Sequence, residues 1–318
     1  IQLSDSQESE KNKKYKNSEI IGLDREVAID TILGANIFPF FRQRPFNIIP
    51  DPKVIPRDIF VSAINTAPLA FDQEVVIKEN LDSFQAGVDA LNTLTSGKVY
   101  LTSKTGSVVS SIHNVETYTI DGPHPAGNVG IQIHHISHLK PGENVWTINS
   151  QDVITIGKLF LRGIYDPTRV ITLAGPCIKE PGHFRINAGA KISTITNGRM
   201  INDEKRIISG DVLTGRVTSP EDFISFYDYS ISVISDEVKR EFIGMLNPGS
   251  SSSRYSLTPV FLSLSKLLYP FNTSQNGSHR AVVPINAWER VLPMDILPNE
   301  LYRSILAKDI DEMEMLGL

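Results

Sequence analysis

The stretch FPFFRQRPFNIIP, residues 38–50, holds four phenylalanines, two arginines and three prolines in thirteen positions. Planar rings at Phe38, Phe40, Phe41 and Phe46 offer stacking surfaces, Phe41 and Phe46 foremost, and the guanidinium groups of Arg42 or Arg44 can hydrogen-bond a carbonyl or stabilise a radical anion. A quinone head group suits that chemistry: an apolar ring, two acceptor oxygens, and negative charge on one-electron reduction. The same residues also admit a plainer role, with the rings packed under a sheet and the arginines paired with carboxylates.

A second concentration is the histidines, five of seven lying between His113 and His138. In HHISH, His134 and His138 are four residues apart and share one face of a helix, the spacing of a chelating pair. His124 could add a third ligand, but no acidic residue accompanies the pair as in H-E-x-x-H. The expectation is therefore no metal site, and a solvated helix face instead. The turn GPHPAG (122–127) is a further candidate. Gly122, His124 and Gly127 fall where a strand ends and a helix begins, the rim at which open α/β sheets hold ligands. Many such turns only connect elements. No G-x-G-x-x-G, G-x-x-x-x-G-K-[ST] or G-x-S-x-G occurs, so no catalytic residues are assigned.

Those candidates need elements to position them. Asp24 can cap a helix over REVAIDTIL that stops at Gly34, and the prolines at 39, 45 and 50 prevent a continuous helix beyond it. DIFVSAIN (58–65) reads as a strand buried on both faces. Residues 72–95, with Ile77, Leu81, Phe84, Val88 and Leu91 on one stripe, read as a single helix, followed by the strand KVYLT (98–102). Alternation continues through VETYTI (115–120), a helix at 128–139, NVWTI (144–148) and a helix at 150–161, and RVITLAG (169–175) closes it. The fold class expected is α/β plus α+β. A charged lead-in (1–19) precedes a Rossmann-like parallel-sheet domain (20–170). A β-grasp-like module (171–216) follows, then a mixed strand and helix region (217–318) with strands at 223–235 and a helical tail broken at Pro293 and Pro298.

Bulk properties exclude several classes. A net charge of −5 and pI near 5.8 argue against a nucleic-acid partner. The one cysteine, Cys177, rules out an internal disulfide or a multi-cysteine cluster within these residues, and points to a reducing compartment. No apolar run approaches a bilayer span, the opening residues lack the apolar segment of a signal peptide, and the chain reads as a fragment of something longer.

The blocks FRQRPFNIIPDPKVIPRDIFVSAINTAPLAFDQEVVI, DGPHPAGNVGIQIHHI, VWTINSQDVITIGKLF, VITLAGPCIKEP, RIISGDVLTG and NGSHRAVVPINAWERVLPMDILP resemble, in order along the chain, the A subunit of the sodium-translocating NADH:quinone reductase. The resemblance implies a peripheral subunit on the cytoplasmic face of the bacterial inner membrane. There it would belong to a complex that passes electrons from NADH to ubiquinone and exports Na⁺. It implies partnership with the other subunits, especially the B subunit in the membrane, and ubiquinone as a candidate ligand. NAD(H), flavins and Fe–S clusters are expected at the level of the complex. An additional N-terminal domain and a C-terminal extension are expected outside these residues, and the fragment alone is expected to be inactive.

The fold also resembles the flavin-carrying subunit of respiratory complex I and the C subunit of the Rnf complex. Where those relatives keep a glycine-rich flavin loop, this chain has bulky side chains over residues 34–46, so no cofactor is expected to be bound by the chain itself. Two alternatives remain: a flavin- or NADH-binding electron-transfer subunit in its own right, or a non-redox ligand-binding module.

Overall fold

The computed structural model describes residues 12–201, 204–236, 270–273, 281, 283 and 285–316. These fall into two compact units, one drawn from 1–169 with 282–318 and the other from 170–281. Among the described residues, no helix is long and apolar enough to cross a membrane. The serine run SSSSR at 250–254, which reads as an exposed low-complexity loop, and residues 258–269 of the chain's most apolar stretch, TPVFLSLSKLLYPF (258–271), lie outside them, as do residues 1–11 of the charged lead-in.

In the first unit, α1 (Asn17–Ile20) precedes α2 (Arg25–Gly34), whose cap Asp24 accepts the Glu26 N–H at 3.0 Å. A 3₁₀ turn (Phe38–Phe40) with proline at its first turn leads into the short strand β1 (Arg42–Arg44). Then come β2 (Ile59–Ser62), α3 (Gln73–Glu79), α4 (Leu81–Asn92), β3 (Val99–Ser103), β4 (Glu116–Thr119), α5 (Val129–Ser137), β5 (Val145–Asn149) and α6 (Ser150–Arg162). The sheet order is β1-β5-β2-β3-β4. β2 pairs in parallel with β3 and β5, and β3 with β4. The central strands are apolar on both faces because helices cover both, as the βαβ reading requires.

Within the first unit the structure departs from the expectation at three places. The single helix expected over 72–95 is two, because Asn80, at φ −135° and ψ 34°, leaves helical geometry and its N–H turns back to Ile77 O. β1, unforeseen, adds an antiparallel edge, with Arg42 opposite Thr147 and Arg44 opposite Val145. Pro298 starts a helix rather than breaking one: it occupies the first turn of the helix Pro298–Ala307, where its missing N–H costs nothing.

The second unit is built on a mixed sheet. Its strands are β6 (Thr168–Ala174), β7 (Gly182–Asn187), β8 (Lys205–Ser209), β9 (Arg216–Thr218) and β10 (Ser230–Ser235), in the order β7-β6-β10-β8-β9. β10 runs parallel to β6 and antiparallel to β8. Thus RVITLAG, expected to close the first sheet, is a strand of the second. Of the strands expected over 223–235, only Ser230–Ser235 forms. The short helix α7 (Ser193–Thr196) sits between β7 and β8. In the first unit, α8 (Pro298–Ala307) and α9 (Ile310–Met315) follow, Asp309 capping α9. The class is the one expected, α/β followed by α+β.

Candidate functional site

The aromatic stretch divides sharply. Phe38, Phe40 and Phe41 are buried, and Phe41 is fully so. Phe41 and Phe38 close on Trp146 of β5 with ring centroids 5.3 and 5.7 Å away, the second edge-on. Phe40 lies under the Arg169 guanidinium at 5.3 Å, and Arg169 stands 3.7 Å from the buried Asp152 in the first turn of α6. Only Phe46 of the four faces water, with 77% of its surface exposed.

Arg42 and Arg44 are two residues apart on a strand and so leave the same face of β1. Arg42 donates through Nε to Asn47 Oδ1 at 3.2 Å and through Nη2 to the Asn47 carbonyl. Asn47 holds a left-handed φ of 52°, which asparagine tolerates, and the turn closes as Gln43 N donates to Ile48 O at 2.7 Å. Arg44 is half-buried. Burial and the like charge of Arg42 lower its pKa, and its Nε is buried without a hydrogen-bond partner among the described residues. Arg42, Arg44 and Phe46 thus share one hairpin, while Phe41 supports it from the core.

The rim residues converge on a group the sequence did not single out. Thr66 Oγ1 accepts the Gly127 N–H at 2.9 Å and lies 3.2 Å from His124 Nδ1. A Cβ on Gly127 would meet Thr66 N at 2.6 Å, so glycine is what admits this approach. Beneath the loop, Gln132 of α5 is almost wholly buried. Its Oε1 accepts from Thr102 Oγ1 at 2.7 Å, and its Nε2 donates to Ser62 Oγ at 3.2 Å and Gly127 O at 3.1 Å. Gly122, at φ 140°, lies at the exposed start of the same loop. The result is a satisfied polar network at the carboxyl ends of β2 and β3, which fixes the rim.

These two candidates do not meet. β1 runs antiparallel to β5, so Arg44 stands level with Val145 at the amino end of the parallel strands, whereas the rim sits at their carboxyl end. Four residues of strand, about 13 Å, separate the two levels.

Two of the histidines belong to neither. His135 Nε2 lies 2.6 Å from Pro293 O, and His134 Nε2 accepts the Asp295 N–H at 3.4 Å, so both address the segment ahead of α8. Among the described residues, no group of three or more histidine, cysteine, aspartate or glutamate side chains is arranged to hold a metal. Cys177 is buried, and that burial pushes its thiol pKa up.

A family model described as the NqrA second alpha/beta domain matches residues 23–165, and one described as the NQRA C-terminal domain matches residues 170–219. The A subunit of the Na(+)-translocating NADH-quinone reductase of Pasteurella multocida is 38% identical over 308 residues, covering 96% of this chain and 69% of that protein. The proteins of the same name from Vibrio atlanticus and Neisseria meningitidis are each 39% identical, over 95% and 96% of this chain and 68% and 69% of theirs. Among solved structures, an NAD+-reducing nickel-iron hydrogenase aligns with TM-score 0.48 at 11% identity over 68% of this chain and 48% of that chain, too loose a likeness to bear on function.

Proposed function

The chain belongs to the family of the A subunit of Na(+)-translocating NADH-quinone reductase, and from that membership we propose that it serves as a peripheral, cytoplasmic-side component that contacts the quinone without carrying a prosthetic group. As a component of such a reductase it works with other subunits, the membrane-embedded B subunit foremost. Electrons from NADH reach ubiquinone through the assembly while Na⁺ is exported.

The observation that carries the quinone contact is the Phe46 ring, exposed beside two guanidinium groups on one hairpin. An apolar ring can lie against Phe46, and the cationic face formed by Arg42 and Arg44 favours the negative charge that one-electron reduction puts on the quinone oxygens. Phe41 acts from below by fixing β1 against Trp146. The reading that this chain has no flavin of its own is supported by the side chains over 34–46. Ile37, Phe38, Phe40 and Phe41 are all buried there, where a flavin phosphate would need bare backbone. The rim at Gly122, His124 and Gly127 stands as a second ligand position, at the end of the sheet where α/β folds ordinarily bind.

The test is made in the assembled complex. Phe46→Ser and Arg44→Gln are expected to raise the quinone KM roughly ten-fold, the order expected for losing one stacking or charge-assisted contact. NADH oxidation by an artificial acceptor should be unaffected. Unaltered quinone kinetics in both variants would remove the contact, and a flavin seated against residues 34–46 would remove the cofactor-free reading.

A further inference from the structure

Residues 45–56 leave the first sheet and return at one place. Arg44 pairs opposite Val145, and the Arg57 N–H donates to Asn144 O at 3.0 Å, so both feet of the loop stand at the amino end of β5. Such a compact excursion is an Ω-type loop. Pro50 and Pro56 anchor it by burial, and polar clamps hold the backbone between and around them. Arg25 Nη2 donates to Pro52 O at 3.0 Å and Val54 O at 2.9 Å, and Asp51 Oδ1 accepts the Lys53 N–H at 2.9 Å. At the far foot, Arg57 binds Asp58, Glu143, and the Ser137 and His138 carbonyls. Prolines at 45, 50, 52 and 56 stiffen what lies between.

What this rigid frame presents is apolar: Phe46, Ile48, Ile49, Val54 and Ile55 are all exposed. A clamped backbone that keeps large apolar side chains in water has already met the ordering cost of being covered. The charges around them are mostly of one sign. Residues 42–56 carry three cations, Arg42, Arg44 and Lys53, against one carboxylate, Asp51, in a chain whose net charge is −5. The neighbouring charge acting on Arg44 is that of Arg42, and Arg57 is already occupied by Asp58 and Glu143.

We propose that the 45–56 loop docks on an anionic phospholipid bilayer, with its apolar side chains at the boundary between headgroups and acyl chains and Arg42, Arg44 and Lys53 against the lipid phosphates. Apolar residues ringed by cations are the combination that lies in such an interface. A lipid surface also needs no fixed pattern of polar partners, and the exposed side chains of the loop offer almost none beyond the cations. The relatives are sodium-translocating, so they act at a membrane, and this surface would give a chain of the family a direct hold on it. Arg42, Arg44 and Phe46 serve both readings, but the apolar face of Ile48, Ile49, Val54 and Ile55 with Lys53 does not depend on the quinone contact and stands if that contact fails.

Sedimentation of the chain with phosphatidylglycerol–phosphatidylcholine vesicles tests it, pure phosphatidylcholine vesicles being the control. Binding is expected to the first and not the second. Lys53→Gln should weaken it about five-fold at low salt, the worth of one cation near an anionic surface. Ile49→Ser combined with Ile55→Ser should abolish it while the protein stays folded with only a small fall in melting temperature, since about half of each side chain is already exposed. Failure to bind anionic vesicles, or equal binding by the double variant, overturns the proposal. So does hydrogen-exchange protection of 45–56 by another subunit in the detergent-solubilised complex, which would make the loop a protein interface. Ile49, Lys53 and Ile55 lie outside the proposed quinone contact, so quinone kinetics judge that reading separately.

Discussion

Phe41 and Phe46 have the same side chain and lie five positions apart on one hairpin, yet one is sealed against Trp146 and the other stands in water. Their truncation should therefore separate. Phe41→Ala removes a ring from a packed core and is expected to cost about 3–5 kcal/mol in urea unfolding. Phe46→Ala should change stability by no more than about 0.5 kcal/mol. Equal losses at the two positions would mean that the Phe46 ring is packed as Phe41 is, and not exposed. The composition of residues 38–50 could show that aromatic and cationic groups were concentrated but not which ring faced outward, because that depends on β1 pairing with β5, a partner about a hundred residues away. Thr66 and Gln132 went unnoticed for the same reason. Neither has a local signature, and each acquires its role only when Gly127 and the ends of β2 and β3 are brought to it.

The elements themselves were legible where local chemistry dictated them. The runs at 58–65, 98–102 and 144–148 gave β2, β3 and β5 because both of their faces are buried, and Asp24 caps the helix that follows it; the structure adds Asn149 as the cap of α6. The break between α3 and α4 was hidden because Ile77 and Leu81 keep helical spacing across Asn80, so periodicity continues through a residue that is not helical. Likewise RVITLAG is as apolar as a first-sheet strand, and nothing in it names β10 as its neighbour. The packing of α4 on α6 exceeds what patterning can specify. A Cβ on Gly157 would overlap the Ser83 carbonyl, and one on Gly87 would overlap the Val153 carbonyl, so the two helices touch backbone to backbone. Gly157→Ala should therefore force them apart and lower stability by about 1–3 kcal/mol or more, measured by thermal or urea unfolding. An Ala variant as stable as the parent would show that the helices are not in that contact.

Among the described residues, the carboxylates with a shifted pKa are all held below their ordinary value. In the first unit, burial would raise Asp166, but hydrogen bonds from Thr168 and the ion pair with Lys158 at 3.1 Å outweigh it. Burial of Glu74 is similarly overcome by Ser107, by the Val108 N–H at 2.9 Å and by Lys104. Glu143 is lowered by the Lys140 N–H first and then by Arg57, and in the second unit Asp222 is lowered by the Ser219 N–H and hydroxyl. In each case the unfolded chain binds protons more readily than the folded one, so stability rises with pH across the interval between the two values. These contributions are complete above the ordinary carboxylate range near pH 4 and are lost as pH falls through the lower folded-state values. The melting temperature should accordingly stay level, as far as these carboxylates set it, from neutrality to about pH 5 and fall steeply below about pH 4. Asp166→Asn should be less stable than the parent at neutral pH yet lose less on acidification, so that the two curves converge toward low pH. A parent whose melting temperature rises between pH 5 and pH 3, or a variant whose curve stays parallel to it, would mean that these carboxylates do not carry the acid limb.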